Sequence, residues 1–385
     1  MILNIKKGDF RIVAIIFFSL LTGICGLYAQ EYTINPDQTV QFRHKDSTAK
    51  SVKLYFDCKM GKNGPNVKVE SYHAVKMKKD SDGVWSYTTP PMVPEVYTYQ
   101  YEANGKRFPD PSNPDSIRVR REKMSLMILN NTPQSDLYVC NPMRGKMDTL
   151  VFKSPYEPKP RRIIVYTPPQ YYENTQKKFP VLYLLHGLNG NETAWNDRGR
   201  ASQSLDNLIA QGKAKPMIMV MPDANPIGLI EQKEEIGLFK NILLFPSWND
   251  MDFEKRYPEI DSFLMERYRF KTCPGSRAVA GLSAGAKQSA NLVNLYDSTF
   301  SAVGMFSPVV GSKQLPQHTF SKYWIGGGTS DFFHHRINKF RKKLQRKKIP
   351  YTMYNTVGGH TWRNWRVYFT EFVQDIFWRN NSSDK

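Results

Sequence analysis

Cysteine is scarce in this sequence, which has four in 385 residues. They stand far apart, at positions 25, 58, 140 and 273. Such spacing excludes a disulfide-rich scaffold, and a chain of this length can bury a core without one. We expect Cys25 to be absent from the mature chain, so at most one bridge can form among Cys58, Cys140 and Cys273. The sequence leaves open whether it does.

Long hydrophobic runs are also rare, and the clearest one lies near the amino terminus, at residues 12–27. Three basic residues precede it and the small residue Ala29 follows, a pattern typical of a secretory signal. We therefore predict a signal peptide at 1–29 and a periplasmic or secreted protein. A retained membrane anchor is the alternative, although the run is near the short end for spanning a bilayer. Lipidation at Cys25 is disfavoured, because Ile24 stands where a small residue is expected.

Acidic residues are outnumbered, since 35 Asp and Glu stand against 54 Lys and Arg, which gives a formal charge of +19. Such a surplus favours acidic polymers and anionic surfaces as partners. The basic residues are scattered, however, except at 336–348. There Phe333, Ile337, Phe340 and Leu344 recur at helical spacing, so the charges form the solvated face of a core-packed helix. We therefore expect no nucleic-acid partner.

The segment 31–135 has the alternating pattern of half-buried strands. The apolar or aromatic positions are Val52, Leu54, Phe56 and Cys58 in one stretch and Tyr97, Tyr99 and Tyr101 in another. Between them Asp82 and Gly83 form a strong hairpin signal. Several short strands at this spacing predict a small all-β sandwich over 31–135.

From about residue 136 the pattern changes to apolar runs without alternation, as expected of strands covered on both faces. These runs are 161–169, 179–187, 215–223, 276–283 and 321–331. Between them Leu205, Leu208 and Ile209 mark one face of a helix. Strands alternating with helices predict an α/β fold over 136–380, with a mostly parallel sheet wrapped by helices.

A serine stands in the pattern Gly-x-Ser-x-Gly at 281–285, after the strand-like "RAVAG" and before the helix-like "AKQSANLVNLY". The plainest alternative is a small residue in a tight turn. Glycines at both ends let the chain turn sharply and present the serine at the carboxyl edge of the sheet. A serine nucleophile needs that exposure, a neighbouring base and donors for the developing oxyanion. We therefore predict that Ser283 is a nucleophile.

The base of such a site is a histidine that follows the acid along the chain. The histidines after Ser283 are His318, His334, His335 and His360. His360 stands in a Gly-Gly loop after a strand-like stretch, where an imidazole is presented to the site. His334 and His335 begin an amphipathic helix and are interpreted as surface or packing residues.

The acid must lie between the serine and the histidine, after a strand end. Asp331 meets both conditions, and its alternative role is to cap or charge a helix start. Asp297 lies in the same interval but follows a helix, which makes it the weaker candidate.

Two backbone amides and two indoles complete the predicted site. The oxyanion hole requires the amide after the nucleophile, at Ala284, and one from a loop after an earlier strand, which we assign to Leu188. His186 in that loop is interpreted as holding it in place. Trp195 and Trp362 stand beside motif loops and are candidates for stacking on substrate, with core packing as the alternative.

Four stretches occur together in the order of one family: "FPVLYLLHGLNGNETAW", "DNLIAQGKAKPMIMVMPDA", "RAVAGLSAGAKQSAN" and "GGHTWRNWR". Over about 140–380 the chain resembles the esterase group of α/β-hydrolases that includes the feruloyl and acetyl-xylan esterases of carbohydrate esterase family one. The resemblance implies Ser283, Asp331 and His360 as the catalytic triad, and hydrolysis through an acyl-enzyme. Upstream, "VQFRHKD", "DGVWSYTTPP", "YTYQYEANG" and "DPSNP" resemble the immunoglobulin-like early-set domain that often precedes such esterases.

The chain departs from this family in two places. After the serine the family more often has Met-Gly-Gly, whereas Ala284, Gly285 and Ala286 stand here. The amide at 284 remains available, but the wall of the acyl pocket changes. The segment 225–248 matches poorly and is interpreted either as a lid or glycan-contacting loop or as an ordinary surface insertion.

The expected function is that of a secreted serine esterase that removes feruloyl or acetyl groups from plant polysaccharide such as xylan. No metal or organic cofactor is expected. The alternatives are an inactive glycan-binding protein and an acyltransferase or peptidase with the same triad. The all-β segment could bind glycan through Trp85 and the tyrosine stripe, but a stripe at period two favours a structural role. The acyl group, the glycan and the oligomeric state stay open.

Overall fold

The computed structural model describes residues 32–377 except 69, 120–121, 156–158, 189, 226–252, 297 and 318–319. The predicted signal at 1–29 therefore lies outside the described residues, as does nearly all of the segment 225–248. The same holds for the alternative acid Asp297.

The first part of the chain is all β. Its strands are β1 Tyr32–Ile34, β2 Val40–Lys45, β3 Val52–Phe56, β4 Lys59–Gly61, β5 Gly64–Asn66, β6 His73–Lys76, β7 Lys78–Lys79, β8 Val84–Thr88, β9 Val96–Ala103, β10 Lys106–Phe108, β11 Ser116–Val119 and β12 Glu122–Ile128. They form a sheet in the order β1-β2-β8-β7, a sheet in the order β11-β12-β9-β3-β6 with β10 beside β9, and the β4-β5 hairpin.

Side-chain alternation organises this part, as the sequence predicts. Val52, Leu54 and Phe56 are buried on one face of β3. The predicted turn at Asp82 and Gly83 joins β7 to β8, with Gly83 at a φ of 78°. The tyrosine stripe of β9 and Trp85 are buried, so these rings form the core of the all-β part and do not provide a platform for glycan.

The second part is built on an eight-stranded sheet. Its strands are β13 Lys146–Phe152, β14 Arg161–Thr167, β15 Val181–Leu185, β16 Ile218–Pro222, β17 Arg277–Leu282, β18 Ala302–Phe306, β19 Lys322–Gly328 and β20 Thr352–Thr356. The order is β13-β14-β16-β15-β17-β18-β19-β20. Six neighbouring strands run parallel to one another: β16, β15, β17, β18, β19 and β20. At one side of the sheet, β14 pairs antiparallel with β16, and β13 pairs antiparallel with β14.

Helices cover both faces of this sheet. They are α1 Pro133–Asp136, α2 Ala194–Asp197, α3 Ala201–Ala210, α4 Phe253–Met265, α5 Ala284–Leu295, α6 His334–Arg346 and α7 Trp362–Asp375. One apolar core includes residues of α2, α3 and α7, and the other includes residues of α4, α5 and α6. In the described ranges, no helix combines the length and the apolar character that a membrane span requires.

The basic helix α6 has the arrangement that its sequence predicts. Ile337, Phe340 and Leu344 are buried in the core, while most of its charged residues are exposed. The charges therefore form a solvated face.

The all-β part and the α/β part share one apolar core. Val96 and Leu126 of the all-β part belong to the same buried cluster as Trp365 and Phe369 of α7. The last strand of the all-β part ends at Ile128, and the eight-stranded sheet begins at Lys146, so the predicted boundary near 135 falls between them.

Candidate active site

Ser283 stands on a sharp turn between β17 and α5. Its φ of 53° and ψ of −111° lie outside the usual regions for a residue with a side chain, so the turn is strained. The turn also needs its glycines. A Cβ on Gly281 would lie 2.5 Å from the carbonyl carbon of Gly285, and one on Gly285 would lie 2.6 Å from the carbonyl oxygen of Leu185.

Asp331 and His360 meet directly. Asp331 follows β19 and His360 follows β20, and these strands are parallel neighbours, so their carboxyl ends lie side by side. The Oδ2 atom of Asp331 lies 3.1 Å from Nδ1 of His360, and both side chains are largely buried. An ionised carboxylate can only accept a hydrogen bond, so Nδ1 carries the proton and Nε2 is left as the acceptor.

The carboxylate of Asp331 is stabilised in its charged form. Burial alone would raise its pKa, but hydrogen bonds from His360, from the Ser307 hydroxyl and from the Phe333 amide outweigh burial and lower the pKa below its ordinary value. The Phe333 amide donates to Oδ1 at 2.8 Å. Asp331 therefore accepts a hydrogen bond at the start of α6, as its predicted alternative role requires, and also contacts His360.

Ser307 is a site residue that the sequence analysis missed. It follows β18 with a φ of 50° and is fully buried, and its hydroxyl accepts a hydrogen bond from Trp365 Nε1 at 3.0 Å. The same hydroxyl lies near Asp331 and helps to lower the pKa of its carboxyl group. The available signal was a serine directly after an apolar strand, β18, which lies next to the strand that precedes Ser283.

Ser283 shares this edge of the sheet. Its amide donates to the Phe306 carbonyl at 2.8 Å, one residue before Ser307. Among the described residues no side chain is hydrogen-bonded to the Ser283 hydroxyl. In enzymes without substrate this contact is often long, and it shortens in the reacting complex.

One predicted oxyanion donor, Ala284, directly follows the serine, and the loop that carries the other, Leu188, comes close to it. Ala284 is the first residue of α5, so its amide has no partner within the helix. The loop with Leu188 approaches from β15, because a Cβ on Gly187 would lie 3.4 Å from Cβ of Ser283. The structure therefore brings both predicted segments to Ser283.

His186 holds that loop, as its interpretation from sequence suggests. It is 3% exposed, and both ring nitrogens are used. Nδ1 lies 2.7 Å from the Gly187 carbonyl, to which it donates, and Nε2 accepts from the Ala224 amide at 3.0 Å. A ring engaged in this way has no nitrogen left for proton transfer.

The two tryptophans predicted to contact substrate lie in the core, which corrects that prediction. Trp195 is 1% exposed, and its indole N–H donates to the Leu185 carbonyl at 2.9 Å. Trp362 is 5% exposed and packs edge-on against Trp195, with ring centroids 5.4 Å apart. Their role is packing under the loops of the site. No group of His, Cys, Asp and Glu in the described part of the chain could hold a metal ion.

Comparison with known proteins identifies the α/β part. Residues 154–332 match the family model described as "Putative esterase". This segment is therefore similar to that esterase family. The endo-1,4-beta-xylanase/feruloyl esterase of Xylanibacter ruminicola is 29% identical over 365 residues, which cover 90% of this chain and 46% of the relative. The chain thus spans less than half the length of that relative.

Solved esterase structures share the fold. The CE1 ferulic acid esterase of the anaerobic fungus Anaeromyces mucronatus has a TM-score of 0.54 at 21% identity, covering 63% of this chain and 95% of that chain. The enterobactin esterase FES of Shigella flexneri has a TM-score of 0.59 at 16% identity, covering 90% of this chain and 95% of that chain. The predicted α/β-hydrolase fold is confirmed, and the likeness to the second structure extends through the all-β part.

Proposed function

We propose that this esterase is a serine carboxylic ester hydrolase that removes feruloyl groups, or the smaller acetyl group, from plant polysaccharide such as xylan. One observation carries the proposal. Asp331 holds His360 at 3.1 Å, at the sheet edge where Ser283 stands on its strained turn. The name of the relative from Xylanibacter ruminicola supports the feruloyl group and the xylan substrate.

In the first half of the reaction, His360 Nε2 accepts the hydroxyl proton of Ser283 as the serine oxygen attacks the ester carbonyl. The negative charge that develops on the carbonyl oxygen is received by the amides of Ala284 and Leu188. Asp331 keeps the proton on Nδ1 and stabilises the imidazolium that forms. The low pKa of Asp331 ensures that its charge is present at neutral pH.

In the second half, the imidazolium gives its proton to the departing sugar oxygen, and the acyl group stays on Ser283. Water then enters, His360 takes its proton, and the hydroxide attacks the acyl-enzyme. Collapse of that intermediate releases the carboxylic acid and restores the serine hydroxyl.

The decisive experiment compares the chain lacking residues 1–29 with its Ser283→Ala variant on methyl ferulate and 4-nitrophenyl acetate. We expect turnover of at least one ester by the parent and loss of at least a thousandfold in the variant. The ratio of the two rates reports whether the acyl pocket suits a large or a small group. Activity that survives in the variant would remove Ser283 from the mechanism.

Chromatography of the products separates hydrolysis from transfer. Free ferulic acid as the main product in the presence of xylo-oligosaccharide supports an esterase. Accumulation of a new feruloylated sugar would favour the acyltransferase alternative, which uses the same triad.

We also propose that the protein acts outside the cytoplasm, because residues 1–29 have the pattern of a secretory signal. A polymeric plant substrate fits that location. Determination of the amino terminus of the protein expressed with its full sequence tests this, with Gln30 expected as the first residue.

A further inference from the structure

We infer that Phe332 binds the sugar that leaves when the ester is cleaved, so that this ring selects for a glycan ester over the ester of a small alcohol. The inference rests on the proposed function and extends it from the acyl group to the alcohol. His360 must protonate the departing oxygen, so the alcohol part of the substrate has to lie within hydrogen-bonding distance of its ring. The solvent-exposed side chains next to the His360 ring therefore face the alcohol.

Most sides of His360 are closed by the protein. Nδ1 faces Asp331, and Trp365 packs edge-on with ring centroids 4.9 Å apart. The preceding residue, Gly359, donates its amide to the Lys68 carbonyl at 3.0 Å. Lys68 follows the β4-β5 hairpin, so the all-β part covers this side of the histidine loop.

Phe332 marks the open side. Its ring centroid lies 4.4 Å from that of His360, with the planes at 43°, and its side chain is 52% exposed. In the part of the chain that the structure describes, every other phenylalanine and tryptophan is less exposed. Burial of an aromatic ring is favourable. The exposed ring of Phe332, next to the catalytic base, can therefore gain free energy by contacting a ligand.

The neighbouring loop adds to the same surface. Val357 is 69% exposed, and the next residue, Gly358, accepts a hydrogen bond from the Ser330 amide at 3.0 Å. This hydrogen bond joins the loops that carry Phe332 and His360, and each loop exposes an apolar side chain. The C–H face of a sugar ring fits an aromatic face of this kind, whereas the methanol released from a methyl ester is too small to cover it.

The test measures kcat/KM for a feruloylated arabinoxylan oligosaccharide and for methyl ferulate with the parent chain and Phe332→Ala. We expect the ratio of the two values, oligosaccharide over methyl ester, to fall about tenfold, mainly through a higher KM for the oligosaccharide. Phe332→Tyr keeps an aromatic ring and should restore most of the ratio. A ratio within twofold of the parent's in Phe332→Ala would overturn the inference, as would a ratio that Phe332→Tyr fails to restore.

The matched control is Tyr172→Ala. Tyr172 is also an exposed aromatic residue, at 47%, but it follows β14, which runs antiparallel to β16 and so ends at the opposite edge of the sheet. Its substitution should leave both kcat/KM values unchanged. A parent chain that cleaves neither ester would instead reject the proposed function, while cleavage of both with an unchanged ratio in Phe332→Ala would reject this inference alone.

Discussion

Arg363 lies three residues after His360, and its Nη2 atom forms a buried ion pair with Asp57 Oδ1 of the all-β part at 3.1 Å. The side chains of both partners are 6% exposed. Nearby, Arg366 pairs with Glu95 at 2.8 Å, and Arg198 pairs with Glu70 at 3.1 Å. The first turn of α7, which follows His360, is therefore held by carboxylates from the other part of the chain.

Asp57→Ala should destabilise the whole chain, because it leaves the Arg363 guanidinium buried without its carboxylate. Removing one partner of a buried pair costs about 3–5 kcal/mol in the free energy of unfolding. Urea denaturation followed by tryptophan fluorescence measures this. The control is Glu102→Gln, which breaks a pair with the more exposed Lys53 and should cost about 0–1 kcal/mol. Equal losses in the two variants would contradict a structural role for the Asp57 pair.

Asp331→Asn should abolish most activity while the fold remains. The asparagine oxygen can still accept from the Phe333 amide, but it no longer stabilises the imidazolium or fixes its tautomer. By analogy with other triads, kcat should fall about ten-thousandfold. Steady-state kinetics together with thermal unfolding separates the two effects, and the exposed Asp136→Asn serves as the matched control. A fall of less than tenfold would argue that Asp331 is not the acid of the triad.

Ser307→Ala should lower kcat about tenfold, with a smaller effect on KM. The change removes the Ser307 hydroxyl that helps to keep Asp331 ionised. It also leaves the Trp365 N–H without its acceptor, and an unsatisfied buried donor costs about 1–3 kcal/mol. The control is Ser301→Ala. Ser301 precedes β18, so it lies at the opposite end of the strand from Ser307, and its hydroxyl donates to the Gly275 carbonyl. An unchanged kcat in Ser307→Ala would show that His360 and Asp331 need no further support.

Glu254 should make stability depend on pH. Burial raises its pKa to about 7, although the hydrogen bond from Asn291 and the charges of Lys287 and Arg256 act in the opposite direction. The folded state therefore holds this proton at pH values where the unfolded state has lost it. Its contribution to stability is complete below about pH 4.5 and decreases as the pH rises to about 7.

The measurement is urea denaturation of the parent chain and Glu254→Gln from pH 4.5 to 8. Glutamine keeps an oxygen that can accept from Asn291 Nδ2. Since one pKa unit corresponds to about 1.4 kcal/mol, the parent should lose about 3 kcal/mol relative to the variant across this range. Parallel curves for the two proteins would show that Glu254 is not protonated in the fold.

The sequence alone predicted the features that depend on local residue patterns and on the order of residues along the chain. Alternation predicted the buried face of β3, and strand ends predicted where Asp331 and His360 would meet. Ser307 also stands directly after an apolar strand, but that pattern alone gave it no role, since its contacts depend on which strands are neighbours. The burial of Trp195 depends on α7 packing over it from a distant part of the chain, and the Asp57 pair joins residues 306 positions apart. Such contacts have no local signature.

The apolar core shared between the two parts affects what the chain exposes while it is being synthesised. Val96 and Leu126 are synthesised long before the α7 residues that cover them, so until then the ribosome-bound chain exposes an apolar sheet face. Exposed faces of this kind promote aggregation. The face that carries Val96 and Leu126 can be covered only after α7 has been made, which favours a protein that is protected from aggregation until synthesis is complete.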